Sequence, residues 1–285
     1  MSTSLRASAA TLLVLLGLGS GVSLAQKLSG KDVSVSPDPI DSRRFIPAQR
    51  SFVDARLSDP IEEDKINDLY QQVVRIHLQG DYQQAADKYR SLIIPMAEQA
   101  PSAATRRKFL FLGYRGLGNC YLGLSRFSEA EKTFQKVFEF LPERPGTQDS
   151  DYAINLESIA MARMGEQRWQ AAEESLGKAV AIFDDEIGRG VAAVPDSAQD
   201  QRAKYLRMSQ DIALNLFAVV YFREQRYAES LEVLERAYQQ GIAFRAPSEV
   251  VQQIVNDGQA VSMAAGDADA IATWSKRTPE RPVTP

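Results

Sequence analysis

The sequence predicts an all-α protein: a solenoid of antiparallel helix pairs, about four of them, with a degenerate capping pair at the C-terminal end. Three observations predict it. A short string recurs as Gly80-Asp-Tyr82-Gln-Gln-Ala85, Ser125-Arg-Phe127-Ser-Glu-Ala130, Gln167-Arg-Trp169-Gln-Ala-Ala172 and Gln225-Arg-Tyr227-Ala-Glu-Ser230. Each copy is followed at helical spacing by apolar residues, first the large Tyr89, Phe134, Leu176 and Leu234, then Leu92, Val137, Ala179 and Ala237. The stretches before the copies, such as Ala103 to Leu124 and Ser197 to Arg223, are free of proline and compatible with helix.

The recurring string has a physical meaning. It is a tight turn that opens a second helix. The aromatic residue packs at the corner, the small residue three positions later admits a close approach to the preceding helix, and the residues at i+4 and i+7 continue a buried stripe. The small residues fall at 85, 130, 172 and 230, spacings of 45, 42 and 58 residues. These exceed a minimal repeat of about 34 residues, so the helices are expected to be long. Gly188 to Pro195 is expected as a loop between the third and fourth copies.

The helices before the turns carry the rest of the pattern. In the second copy the order is Tyr114-x-x-Leu117-Gly118-x-x-Tyr121, then Phe127, Ala130 and Phe134, closing with Pro142. The fourth copy has Leu214, Phe217, Ala218 and Tyr221 at the matching places; the third has Arg163 where an aromatic belongs, and the first departs at Gln72. Together these residues resemble the tetratricopeptide repeat, with Tyr in place of its leading Trp, over roughly Pro60 to Gly241. The resemblance implies a right-handed superhelix of helical hairpins that binds other proteins on the wall lined by its first helices. Ser248 to Ala265, the turn Gly266-Asp267, and Ala270 with Trp274 suggest the fifth, capping hairpin.

Outside the repeats the chain changes character. Residues 1–25 are expected to be a secretory signal peptide: one charge at Arg6, the apolar run Thr11 to Leu18, and Ser23-Leu24-Ala25 as a cleavage site that leaves Gln26 at the mature terminus. No cysteine follows the cut, against a lipoprotein, and a spanning anchor is disfavoured by Gly17, Gly19, Ser20, Gly21 and Ser23. The product is expected to be periplasmic or secreted, attached to a membrane only if the segment stays uncleaved. Residues 26–59, broken by Pro37, Pro39 and Pro47, are expected to form a disordered leader, residues 60–276 the solenoid, and residues 277–285 a loose tail.

Composition excludes several functions. The net charge is −4, and −5 once Arg6 is removed, with no basic stripe to engage phosphates, so nucleic acid is not an expected partner. Arg106-Arg107-Lys108 is expected as a solvated helix face. One cysteine, Cys120, precludes an intrachain disulfide, and one histidine, His77, precludes a His-rich zinc site. Cys120 fits a small buried hydrophobe. Gly116-Leu-Gly118 follows no strand and lacks the third glycine of a nucleotide loop, and Asp184-Asp185-Glu186 fits a solvated helix end better than a cation site. No catalytic constellation, cofactor or metal is expected.

Projecting the core stripe round each first helix places Tyr70, Val74 and His77; Arg115, Asn119 and Leu122; Glu157, Met161 and Met164; and Asn215, Val219 and Phe222 on the binding wall. This mixture of apolar and hydrogen-bonding groups suits a peptide or helix of another protein. Arg115 and Asn119 resemble part of the carboxylate clamp of chaperone-binding tetratricopeptide domains, but Ser158, Ile212 and Leu216 stand where further polar clamp residues belong, so chaperone tails are not expected. The leader, tethered beside the wall, is a candidate to fill it. The expected role is an extracytoplasmic adaptor or scaffold. The alternative is a structural, homo-oligomerising subunit of an envelope complex, and an enzyme on a helical scaffold is the remote third reading.

Overall fold

The computed structural model describes residues 60–141, 150–190, 198–244 and 246–278, and among them there is no strand. By their contacts they divide into two compact units, residues 60–182 and residues 183–278. The signal segment with Ala25 and Gln26, the leader, Pro142 and residues 279–285 lie outside the described residues.

In the first unit, α1 (Pro60–Leu78) is followed by α2 (Tyr82–Lys88), a π turn (Tyr89–Ile93) and α3 (Ile94–Gln99), which run on as one second helix. The π turn has a local cause. Pro95 has no N–H to offer the preceding turn, and the Ile94 N–H reaches back five residues to the Tyr89 carbonyl. Next come α4 (Ala103–Gly123), α5 (Phe127–Val137) with a 3₁₀ turn (Phe138–Phe140), and α6 (Ser150–Gly165). α7 (Trp169–Gly190) begins in this unit. Gly188, expected in a loop, lies inside α7, and residues 191–195 of that stretch fall outside the described ones.

The second unit takes up the end of α7 and continues with α8 (Ala198–Arg223), α9 (Tyr227–Ala243), α10 (Ser248–Ala265) and α11 (Ala268–Ser275). Consecutive helices pack on one another: α8 on α9, α9 on α10, and α10 on α11. The fifth hairpin is therefore present. Arg277, expected in the tail, packs its guanidinium 4.0 Å from the Trp274 ring centre and 4.6 Å from that of Tyr238.

All five corners turn in one way. Gly80, Ser125, Gln167, Gln225 and Gly266 have φ of 85°, 58°, 60°, 62° and 69°. At four of them the residue after the left-handed one donates its N–H to the carbonyl five positions earlier: Arg126 to Tyr121 at 2.8 Å, Arg168 to Arg163 at 2.9 Å, Arg226 to Tyr221 at 2.8 Å and Asp267 to Ser262 at 3.2 Å. This satisfies carbonyls that a helix end leaves open. Three corners carry a side chain in a region that costs an L-residue about 1–2 kcal/mol. Ser125→Gly is therefore expected to raise the urea midpoint of its unit, by about 0.5–1 kcal/mol at unchanged slope.

The corner aromatics join one hairpin to the next. A Cβ on Gly123 would lie 2.7 Å from the Tyr82 ring, and one on Gly165 would lie 2.4 Å from the Phe127 ring. Each ring thus rests on the end of the following hairpin's first helix. Within a hairpin, Gly118 receives Phe134 and Gly258 receives Trp274, at 2.5 and 2.2 Å from where a Cβ would sit. Gly118 is a helix-crossing glycine, as its spacing suggests. At two corners an arginine completes the joint: Arg126 covers Tyr121 and pairs with Glu129, and Arg226 covers Tyr221 and pairs with Glu229. Most of the remaining signature residues form the core. Ala85, Tyr89, Ala130, Ala172, Leu176, Ser230 and Leu234 are buried, and Tyr114 stacks on Phe140 with centroids 5.5 Å apart.

Candidate functional site

The first helices α1, α4, α6, α8 and α10 carry the residues to be tested as a binding wall. Of the twelve projected there, Tyr70, Val74, His77, Arg115, Leu122, Glu157, Met161, Met164 and Val219 are buried, while Asn119, Asn215 and Phe222 are half-buried. Most of them are therefore packed and not displayed to solvent. The reason is visible in α4, where Phe109, Leu110, Phe111, Leu112, Leu117, Cys120, Tyr121 and Leu122 are all buried. A first helix enclosed by its own partner and by the neighbouring hairpins has little circumference left for an open wall.

Tyr70 and His77 are core residues. The Tyr70 ring lies 6.2 Å from Tyr89 and 6.3 Å from Phe109. His77 Nδ1 is 3.1 Å from Cys120 Sγ, with the Tyr82 ring edge-on at 5.3 Å. Burial lowers the imidazole pKa to about 4 and pushes the thiol well up. The pair is a neutral hydrogen bond between α1 and α4, without the thiolate that a nucleophile needs.

The structure does bring Arg115 and Glu157 together. Tyr70, Arg115, Glu157 and Asn215 each lie ten residues before their corner's left-handed residue, so they hold equivalent places on α1, α4, α6 and α8. Arg115 is 2% exposed; its Nη1 lies 3.4 Å from Asp151 Oδ1 and its guanidinium 5.6 Å from the Phe111 ring centre. Glu157 is 0% exposed, and neither carboxylate oxygen has a hydrogen-bond partner among the described residues. Burial pushes its pKa well above the usual carboxylate range, against the opposing pull of Arg115.

The second unit holds a related arrangement that the projection missed. On α8, Asp211 lies one turn before Asn215, and Oδ1 of each is buried without a hydrogen-bond partner among the described residues. Burial raises the Asp211 pKa to about 7, opposed by Arg207. On α10, Asp257 Oδ1 accepts from Gln253 Nε2 at 2.9 Å while Oδ2 is buried and has no such partner, and burial again pushes the carboxyl up. The available signal was the polar residue set within an apolar run, as with Asp211 before Ile212-Ala213-Leu214. A raised carboxyl stabilises the fold below its unfolded pKa, and that contribution is lost as pH rises through about 7. Asp211→Asn is expected to stabilise the second unit by on the order of 2 kcal/mol at pH 8 and by almost nothing at pH 4, read from urea titrations at both.

Two charged runs differ from their sequence reading. Arg106 and Arg107 are exposed as expected, although Arg106 donates to the Ala100 carbonyl from Nε and Nη2 at 3.2 and 3.0 Å, whereas Lys108 is half-buried and pairs with Glu63. Asp184 accepts from Gln210 Nε2 at 2.6 Å and pairs with Arg236, within a helix that continues past it. Among the described residues no cluster of His, Cys, Asp or Glu could hold a metal ion, and no helix is long and apolar enough to cross a membrane.

No family model matches the chain, and no curated protein matches it. Solved structures do. The crystal structure of BtubC (BKLC) from P. vanneervenii superposes with a TM-score of 0.56 at 19% identity, covering 82% of this chain and 85% of that one. A Podosopora anserina protein described as a kinesin light chain, with nearly identical TPR-like repeats, superposes at 0.53 and 16% identity, covering 75% and 93%. A single-substitution form of that Podosopora anserina protein gives 0.53 and 15%, covering 75% and 92%. The chain has a TPR-like fold.

Proposed function

We propose that this chain is an extracytoplasmic adaptor that binds a peptide or helix of another protein along the first helices of its hairpins. The observation that carries the reading is the set of buried polar atoms there without partners among the described residues, on Glu157 in one unit and on Asp211 and Asn215 in the other. A buried polar group left unpaired costs about 1–3 kcal/mol, a burden that a ligand's donors would lift. The TPR-like fold supports the reading, since stacked helical hairpins serve as protein-binding surfaces. The export component rests on residues 1–25.

Half-buried Asn215 is the position from which to test it. A photoreactive residue there, irradiated in intact cells, is expected to capture one discrete protein. The same residue at exposed Glu232 on α9 serves as control. Equal capture from both positions, or none from Asn215, removes the assignment, and a mature chain whose intact mass still begins at Met1 removes export by cleavage. Exposed Met208, Phe244 and Met263 favour the second reading, a self-associating subunit. Light scattering decides between the two: a strict monomer excludes self-association.

A further inference from the structure

We infer that the partner segment this chain binds carries a lysine or arginine, and that this cationic side chain pairs with Asp211 on α8. The inference rests on the adaptor reading and deepens it, by naming the chemistry that the second unit selects. Met208, Asp211, Asn215 and Phe222 follow one another at i, i+3, i+7 and i+14, so they share one face of α8. Met208 is 43% exposed, and Asp211, Asn215 and Phe222 are half-buried, so this face reaches solvent while Ile212, Leu214 and Leu216 are packed away. It runs for about 21 Å along the helix, the length of about six extended residues.

Charge complementarity selects the occupant. Asp211 Oδ1 and Asn215 Oδ1, one turn apart, have no hydrogen-bond partner among the described residues. Two acceptors on one face call for a donor, and the carboxylate of Asp211 calls for a charged one. Arg207, one turn earlier on α8, pulls on that carboxylate, but its guanidinium is set against the Phe244 ring, 3.4 Å from the ring centre. An apolar segment would leave the half-desolvated carboxylate without a donor, and an acidic one would meet it with like charge, so both are rejected. A lysine or arginine is accepted, because a setting partly drawn from water strengthens a charge-assisted hydrogen bond. Met208 and Phe222 flank the charge and give apolar stems and neighbouring side chains a place to lie. The burial that makes Asp211 selective also costs the fold stability above pH 7, so affinity and stability oppose each other at this one residue.

The test pans a displayed library of random peptides, about twelve residues long, on the chain from Gln26 onward at pH 8, where Asp211 is ionised. Enriched peptides are expected to share a lysine or arginine. Fluorescence anisotropy with one of them is expected to show a loss of affinity of at least about tenfold in Asp211→Asn. The same variant gains stability towards urea, so its loss of affinity is not a loss of fold. Asp211→Lys is expected to reverse the choice: it rejects that peptide and binds the counterpart with glutamate in place of the basic residue. Circular dichroism checks that Asp211→Lys folds; if it does not, Asp211→Asn decides alone. Enriched peptides without a shared basic residue, or an affinity that Asp211→Asn leaves unchanged, overturn the inference and leave the adaptor reading standing. A dimer that Asp211→Asn dissociates would seat a second copy on this face and also overturns it. A library from which no peptide is enriched overturns both readings.

Discussion

Phe134→Ala is expected to destabilise the first unit by about 3–5 kcal/mol, the range for emptying a fully buried aromatic site. Phe134 is 0% exposed, and its ring occupies the space that a side chain on Gly118 would fill, 2.5 Å from an added Cβ. Asn155 Nδ2 also donates to the Phe134 carbonyl at 2.8 Å, which ties this turn of α5 to α6. A collapse around the missing ring thus strains two hairpins and not one. Gly118→Ala attacks the same contact from the other side and is expected to cost about 1–3 kcal/mol by overpacking. The two changes share one space, so the double variant is expected to cost less than the sum of the singles by about 1 kcal/mol or more. Trp169 lies in this unit and Trp274 in the other, so variants with one tryptophan replaced by Phe report each unit's urea transition separately. An additive double variant would show that ring and glycine do not meet.

Trp274→Ala is expected to be comparably severe, about 3–5 kcal/mol, and confined to the second unit. The ring is 3% exposed and rests where a Cβ on Gly258 would lie 2.2 Å away. Tyr238 stands edge-on to it at 6.1 Å, and Arg277 covers it. α11 runs only from Ala268 to Ser275, and Trp274 is its buried residue. Without that anchor the hairpin loses what offsets the conformational entropy of ordering it. Amide exchange is expected to accelerate through α10 and α11 while residues 60–182 keep their protection. Loss of protection on both sides of Phe183 would mean that the two units unfold together.

The second helices and the corners were legible in the sequence because each obeys a local rule. α5 and α9 face solvent on one side, so their apolar residues keep helical spacing, and an aromatic two residues past each left-handed position marks the first four corners. Even the fifth hairpin was visible, since Trp274 repeats the role of Phe134 against a glycine. The first helices were harder. α4 and α6 are buried around most of their circumference, so the position next to the core stripe is itself core, and a projection that assumes one wet face assigns Met161 and Met164 to a wall they do not form. His77 was placed on that wall because its partner Cys120 is 43 residues away and no local pattern joins them. Lys108 escaped notice for the same reason: a charge run is solvated by default, and only the packed neighbours show which of its members are tied down. The polar groups that define the candidate site, Glu157 and Asp211, differ from ordinary surface acids only in their burial, which is a property of the assembled hairpins.

The central claim is that successive hairpins of the first unit shelter one another, Tyr82 and Phe127 each resting on the next first helix. Nuclear Overhauser effects in a chain with selectively labelled glycine and phenylalanine test it most directly. The account predicts strong cross-peaks between the Phe127 ring protons and the Gly165 α-protons, 38 residues apart, and between the Phe134 ring and Gly118 within one hairpin. A spectrum in which Phe134 reaches Gly118 while Phe127 never reaches Gly165 would leave the hairpins intact and contradict their stacking.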